Sequence, residues 1–226
     1  MLVTGAGRGI GLAAAQLFLQ AGLRVLGLDK DFSKCDLPAE AQVQFDLNNL
    51  NAIPDLIGRL GTIDVLVNNA GTLYCHPHDA FPDADALEIL TVNLLAPVAL
   101  IQAVAPQMCR RRSGRIVNVG SVAAFTGHPD LWYGASKAAL LNVTKSYATY
   151  LGPDGVLVNA VAPGPTLSDM YEQLPESRKA AVMRSVHSGR PARPEEVAQA
   201  IVWLGTASPE YVNGTTLDVN DGSYPR

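Results

Sequence analysis

Short, almost uninterrupted apolar runs alternate along the chain with longer stretches whose apolar residues recur every three or four positions. The runs are Leu2–Thr4, Arg24–Leu28, Val43–Phe45, Ile63–Val67, Arg115–Val119, Val156–Asn159 and Thr216–Val219. Most are rich in Val, Ile and Leu throughout and lack in–out alternation, so they predict strands buried on both faces. The stretches between them, Ile10–Ala21, Asn51–Leu60, Ala84–Arg112, Leu131–Leu151 and Pro194–Leu204, predict helices. This alternation implies a parallel sheet of about seven strands with right-handed crossovers and helices on both faces. No repeat, low-complexity tract or linker divides the 226 residues. Residues 1–226 are therefore expected to form a single doubly wound α/β domain.

Residues 166–188 break the pattern. They fall between a strand and a helix, have weak periodicity, and carry Pro165, Pro175 and Gly189 at or near their ends. An insertion of this length predicts a lid over a substrate site, with a surface helix pair as the alternative.

Composition narrows the function classes. Hydrophobic residues are 48% and charged residues 17%, an ordinary globular balance, and the net charge of −4 offers no broad basic surface. Nucleic-acid and anionic-membrane partners are not expected. Met1–Thr4 leads directly into a glycine-rich turn, without the charged region or cleavage site of a signal peptide. The most apolar stretch, Leu94–Met108, contains Pro97, Gln102 and Pro106 and reads as too short to span a bilayer. Cys35, Cys75 and Cys109 are odd in number and widely spread, which fits a reducing cytoplasm.

Two groups of residues carry candidate chemistry. Thr4-Gly5-Ala6-Gly7-Arg8-Gly9-Ile10-Gly11 joins the first strand to the first helix. Glycines there permit a tight turn and let a pyrophosphate reach free N–H groups at a helix N-terminus. The spacing on Gly5, Gly9 and Gly11 is GxxxGxG, not the dinucleotide fingerprint GxGxxG. Asp29 ends the second strand, where a carboxylate accepts hydrogen bonds from ribose hydroxyls and repels a 2′-phosphate. The second group is Tyr133 and Lys137, one turn apart on a predicted helix. A phenol titrates near pH 10, and a cation beside it is expected to lower that value and make Tyr133 a usable acid and base. Ser121 ends a strand twelve residues earlier, at the carboxyl edge where such sheets bind ligands.

With these residues in view, the chain resembles a short-chain dehydrogenase/reductase. The matching motifs are Thr4–Gly11, Asp46-Leu47, Asn68-Asn69-Ala70-Gly71, Asn93, Ser121, Tyr133 with Lys137, and Pro163-Gly164, in order along essentially the whole chain. The resemblance implies a Rossmann-like fold. It also implies that Gly5, Arg8, Gly9, Ile10 and Gly11 hold pyrophosphate, Asp46 and Leu47 contact adenine, and Asn69, Ala70 and Gly71 flank the adenosine ribose. Tyr133 would be the general acid/base, Ser121 the anchor of the substrate oxygen, Lys137 the ligand of the nicotinamide ribose, and Asn93 the holder of a relay water. Pro163, Gly164, Thr166 and Ser168 would line the nicotinamide carboxamide. Ser168 stands where the family often has Thr, the Ser121–Tyr133 spacing is about one residue short, and only 22 positions separate Asp46 from Asn68.

The expected activity is NAD-dependent interconversion of a secondary alcohol and a ketone, with Asp29 favouring NAD over NADP. The Asp29–Asp46 segment resembles dihydrodiol-type dehydrogenases, and Tyr211–Val219 resembles 3-oxoacyl carrier-protein reductases, which makes an NADPH-linked 3-oxoacyl reductase the main alternative. A nucleotide-sensing scaffold on the same fold is the non-enzyme alternative. The apolar excess of the Ala84–Arg112 and Leu131–Leu151 helices predicts a homo-oligomer, as a tetramer. Cys75-His76-Pro77-His78 reads as a loop at the substrate mouth, and no metal is expected there. Arg110-Arg111-Arg112 reads as a helix C-terminus. His128, Trp132, Tyr74, Met170 and Tyr171 are candidates for the pocket wall.

Overall fold

The computed structural model describes residues 1–225. Strands β1 (Leu2–Thr4), β2 (Leu26–Asp29), β3 (Gln42–Gln44), β4 (Val65–Asn68), β5 (Gly114–Val119), β6 (Val156–Pro163) and β7 (Thr216–Val219) form one parallel sheet in the order β3-β2-β1-β4-β5-β6-β7. The helices are α1 (Gly9–Gln20), α2 (Ile53–Leu60), α3 (Asp83–Leu90), α4 (Ala96–Arg111), α5 (Leu131–Leu151), α6 (Asp169–Glu172), α7 (Glu176–Met183) and α8 (Pro194–Thr206). The doubly wound fold expected from the sequence is the fold observed.

The absence of in–out alternation in the strands has a direct cause. Leu2, Leu28, Leu66 and Ile116 face α2, α4 and α5. Their neighbours Val3, Val65, Val67, Val117 and Val119 face α1 and α8. Apolar side chains of the central strands therefore enter a layer on either face, while the edge strands β3 and β7 stay partly exposed. Small residues let α1 and α8 lie close together. A side chain on Gly205 of α8 would stand 3.1 Å from the Phe18 ring.

Three departures from the expected elements matter. β6 runs four residues further than its apolar run, because Ala160 to Pro163 pair with Thr216 to Val219. The predicted helix 84–112 contains a π-helical turn, Thr91–Leu95, between α3 and α4. The wider turn holds Asn93 inward and fully buried. The helical rod from Asp83 to Arg111 spans 29 residues and contains an 18-residue stretch with a mean hydropathy of 1.8, long and apolar enough by length and composition to cross a membrane, where the sequence reading of Leu94–Met108 alone had it too short. Leu100, Ile101, Val104 and Met108 of this rod are buried in the sheet-facing core.

The sheet order reverses between β1 and β4, so the loops leaving these strands diverge and open a crevice at the carboxyl edge. Residues 166–188 fold as the short pair α6 and α7, and both helices contribute to the wall of that crevice. The helix pair offered as the alternative is what the fold contains there.

Candidate active site

The crevice has a volume of about 720 Å³ and runs from the β1–α1 turn to α7. At one end, the Thr4 hydroxyl accepts from the Asn69 and Ala70 amides at 3.0 Å each, and Asn69 Nδ2 donates to the Thr4 carbonyl at 2.9 Å. These bonds lock the turns after β1 and β4 together. Gly9 has a left-handed φ of 57°, and a side chain there would meet nothing nearer than Ser168 Cβ at 3.7 Å, on the open side of the turn. Arg8 stands at the N-cap of α1 without capping it through its side chain, so the first-turn N–H groups keep their affinity for an anion. This is a cradle that fits a dinucleotide pyrophosphate.

Asp29 is fixed before any ligand arrives. Its Oδ2 accepts from the Gly7 amide at 2.8 Å and its Oδ1 from the Asp31 amide at 3.1 Å. Asp46 closes its own turn by accepting from the Asn48 amide at 2.9 Å, and Leu47 beside it is buried. Gly164 donates to the Val219 carbonyl at 2.9 Å, and Ser168 caps α6 by accepting from the Tyr171 amide at 3.2 Å. Of the residues given a catalytic or cofactor-binding role from the sequence, all lie on the crevice wall except Gly11 and Asn93. Gly11 packs beneath the turn, where a side chain would collide with the Gly5 carbonyl.

Asn93 lies behind the wall. Its Oδ1 accepts from the Thr72 amide at 2.8 Å, and its Nδ2 donates to the Thr72 carbonyl at 3.0 Å and to Ser136 Oγ at 3.1 Å. Ser136 in turn donates to the Tyr133 carbonyl at 2.8 Å. The π turn, the loop after β4 and the first turn of α5 are thereby one unit. Deeper still, Asn68 Nδ2 donates to Asn118 Oδ1 at 2.8 Å, and Asn118 Nδ2 to Thr144 Oγ1 at 2.9 Å. Sequence reasoning missed Ser136, Asn118 and Thr144. Ser136 had a signal, since it stands three residues after Tyr133 on the same helix face.

At the other end Ser121, Tyr133 and Lys137 share the wall. Lys137 Nζ donates to the Val119 carbonyl at 2.8 Å and lies 5.8 Å from the centre of the Tyr133 ring. Burial pushes the Tyr133 phenol above its usual value, and the Ser121 hydroxyl draws it part of the way back. The expected lowering by Lys137 is therefore not what governs Tyr133. Lys137 is itself desolvated, and burial lowers its pKa to about 8.

That shift yields a stability prediction. A base whose pKa falls from 10.5 in the unfolded chain to about 8 in the folded one destabilises the fold wherever it is charged. The full cost, about 3 kcal/mol, applies below pH 8 and vanishes as pH rises towards 10.5. Lys137→Met removes this cost and leaves the Val119 carbonyl unpaired, an opposing loss of about 1–2 kcal/mol. Thermal melts should show the variant no less stable than the parent at pH 7, with any advantage shrinking by pH 10. A variant that melts well below the parent at pH 7 would refute the argument.

The wall also carries His128, Tyr74, Met170 and Tyr171, as expected, whereas Trp132 is not part of it. Cys75, His76 and His78 lie off the wall, contrary to the expected mouth loop. His76 turns away to Asp85 at 2.6 Å and packs edge-on against Phe81. A second hollow of about 510 Å³, between α2 and the end of α4, contains none of the candidate residues. Arg111 there donates to the Ile63 carbonyl at 2.9 Å.

Comparison with known proteins decides the family. Residues 1–179 match the profile of the short chain dehydrogenase family. The chain is a short-chain dehydrogenase/reductase. It is 36% identical to a 3-oxoacyl-(acyl-carrier-protein) reductase of Vibrio harveyi over 99% of this chain and 96% of the relative. It is 33% identical to galactitol 2-dehydrogenase of Agrobacterium fabrum, over 99% and 96%. Among solved structures, one described as an NAD(P)-dependent gluconate 5-dehydrogenase from Beutenbergia cavernae, with bound NADP, superposes with a TM-score of 0.93 at 33% identity, covering 98% of this chain and 95% of the other. The enzyme is accordingly an oxidoreductase acting on CH–OH groups with a nicotinamide dinucleotide.

Proposed function

We propose that the enzyme interconverts a secondary alcohol and a ketone using NAD, with Tyr133 moving the proton. The observation that carries this reading is the meeting of Ser121, Tyr133 and Lys137 on the wall of the same crevice that holds the glycine cradle and Asp29. Bound there, the nicotinamide ring supplies or accepts the hydride. In the reducing direction the Tyr133 hydroxyl gives its proton to the carbonyl oxygen as that oxygen becomes an alcohol. The Ser121 hydroxyl holds the same oxygen. Lys137 would bind the nicotinamide ribose, and Asn93, which braces the surrounding loops, would hold a relay water. The helix pair of residues 166–188 would close over the substrate.

The second reading, an NADPH-linked 3-oxoacyl reductase, is favoured by the Vibrio harveyi relative. The fixed carboxylate of Asp29 weighs against it. The test is formation or loss of reduced nicotinamide, followed by absorbance, over a panel of alcohols, ketones and 3-oxoacyl thioesters with each cofactor. Turnover of thioesters alone with NADPH would replace the first reading by the second.

A homotetramer is the proposed assembly. Leu87 and Leu95 on the α3–α4 rod are exposed, as are Leu131 and Tyr150 on α5, a surplus of apolar surface on two neighbouring elements. Light scattering at micromolar concentration should give four chains per particle, and a monomeric mass refutes it. The three cysteines are unpaired, which supports residence in a reducing compartment, the cytoplasm.

A further inference from the structure

We infer that Arg178 is a substrate anchor and that the substrate class it selects is a hydroxy or oxo acid, whose carboxylate meets its guanidinium. This deepens the oxidoreductase reading above and rests on it. Arg178 lies on α7 and shares the crevice wall with His128 and Tyr133. Its Nη2 stands 2.8 Å from Oδ2 of Asp130, a carboxylate only 2% exposed. Among the described residues this contact is an ion pair and not an aligned hydrogen bond. Asp130 thus fixes the position of the guanidinium and balances part of its charge, and the other edge of the fork, with Nη1, is left without a carboxylate partner.

The hydrogen bond the Arg178 side chain makes among the described residues runs from Nη1 to Cys75 Sγ at 3.6 Å. A thiol sulfur is a weak acceptor, and a guanidinium offers five donors in a planar fork matched to a carboxylate. The side chain remains 23% exposed. Other charged groups at this end are engaged elsewhere. Glu88 accepts from the Tyr74 hydroxyl at 2.7 Å, Lys179 pairs with Glu172 and Glu176, and Lys137 faces the Val119 carbonyl. His128, beside Asp130 at 3.6 Å, is held towards its neutral form by burial. Arg178, paired with Asp130 on one edge of its fork and facing only a thiol on the other, is the wall cation at this end that still offers a pair of N–H groups to a substrate anion. Solved relatives described as gluconate dehydrogenases are named for a polyol that carries a carboxylate, whereas an acyl thioester carries none at its reacting end.

The experiment compares matched pairs that differ in charge. D-gluconate is set against D-glucitol and 3-hydroxybutyrate against butane-1,3-diol, with the N-acetylcysteamine thioester of 3-oxobutyrate as the neutral acyl rival, each with NAD and NADP. In the parent, kcat/KM for the acid of at least one pair should exceed that for its neutral partner by about tenfold to a hundredfold. That ratio should fall to near unity in Arg178→Met and be kept in part by Arg178→Lys, which retains charge without the fork. Each ratio is internal to one preparation, so a partly unfolded variant leaves it unchanged; because Arg178→Met also uncovers the Asp130 charge, the ratio is read as well in Arg178→Met/Asp130→Asn, where a purely structural role for Arg178 would restore the preference and a carboxylate contact would not. An acid no better than its neutral partner, a preference that survives Arg178→Met, or turnover of the thioester alone overturns the assignment. Turnover of a neutral compound that disappears in Tyr133→Phe would keep the oxidoreductase reading while this one fell.

Discussion

Replacing Tyr133 by phenylalanine is expected to lower kcat by about a thousandfold or more while leaving cofactor affinity within about threefold. The substitution removes one oxygen. The ring packs against His128 at 5.4 Å between centroids and under the Lys137 ammonium, and both contacts survive in phenylalanine. What is lost is the group that carries the proton to or from the reacting oxygen. Ser121 cannot replace it, because an alkyl hydroxyl without a base to deprotonate it is too weak an acid and base at neutral pH. The raised phenol sharpens the expectation. Alcohol oxidation needs Tyr133 deprotonated, and burial opposes that form, so the oxidation rate of the parent should climb towards alkaline pH while that of the variant stays flat. Equilibrium cofactor binding separates this from a folding defect. A variant that keeps turnover within a few-fold of the parent would remove Tyr133 from the proposed role.

The legible parts of this molecule are those written in adjacent residues. Buried strands announce themselves as apolar runs, and α5 begins and ends where its periodicity does, at Leu131 and Leu151. The turn after β1 and the Tyr133–Lys137 pair are short motifs whose chemistry depends on local spacing. What the sequence did not disclose depends on contacts between distant residues. Asn93 is inward-facing because a π turn widens the helix there, and no local pattern separates that turn from the regular helix around it. The Asn68–Asn118–Thr144 chain spans two strands and α5, so its members look like isolated polar residues until the sheet is assembled. Arg178 and Asp130 are 48 positions apart and meet only when α7 lies over the start of α5. Tyr133 departs from the expected lowering for a related reason. Proximity of Lys137 on a helix face is readable from spacing, whereas burial of the phenol and of the cation is a property of the finished fold.

Cofactor choice is expected to follow Asp29, with NAD preferred by the parent by roughly a hundredfold in kcat/KM. The carboxylate is held at both oxygens by the Gly7 and Asp31 amides, so it cannot swing aside for a phosphate. A 2′-phosphate brought to about 4 Å would meet a repulsion of a few kcal/mol at an intermediate dielectric, whereas ribose hydroxyls would donate to the same oxygens. The opposing consideration is cationic. Arg8 and Lys34 reach the rim of this end of the crevice, and Lys30 is part of its wall. Arg8 and Lys34 are drawn to Asp169 of α6, at 3.3 and 3.7 Å, which leaves their charge partly neutralised. Solved relatives that carry NADP make the outcome informative rather than assured by kinship. Two variants separate charge from architecture. Asp29→Asn keeps an oxygen for the loop amides and removes the charge, and Asp29→Ser removes both the charge and much of the loop support. If repulsion governs, both should move preference towards NADP, and the asparagine variant, which keeps an acceptor for one of the two loop amides, should do so with a smaller loss of thermal stability than the serine variant. Equal use of the two cofactors by the parent would show that Arg8, Lys30 and Lys34 outweigh a fixed carboxylate, and would leave the chemistry at Tyr133 as it stands.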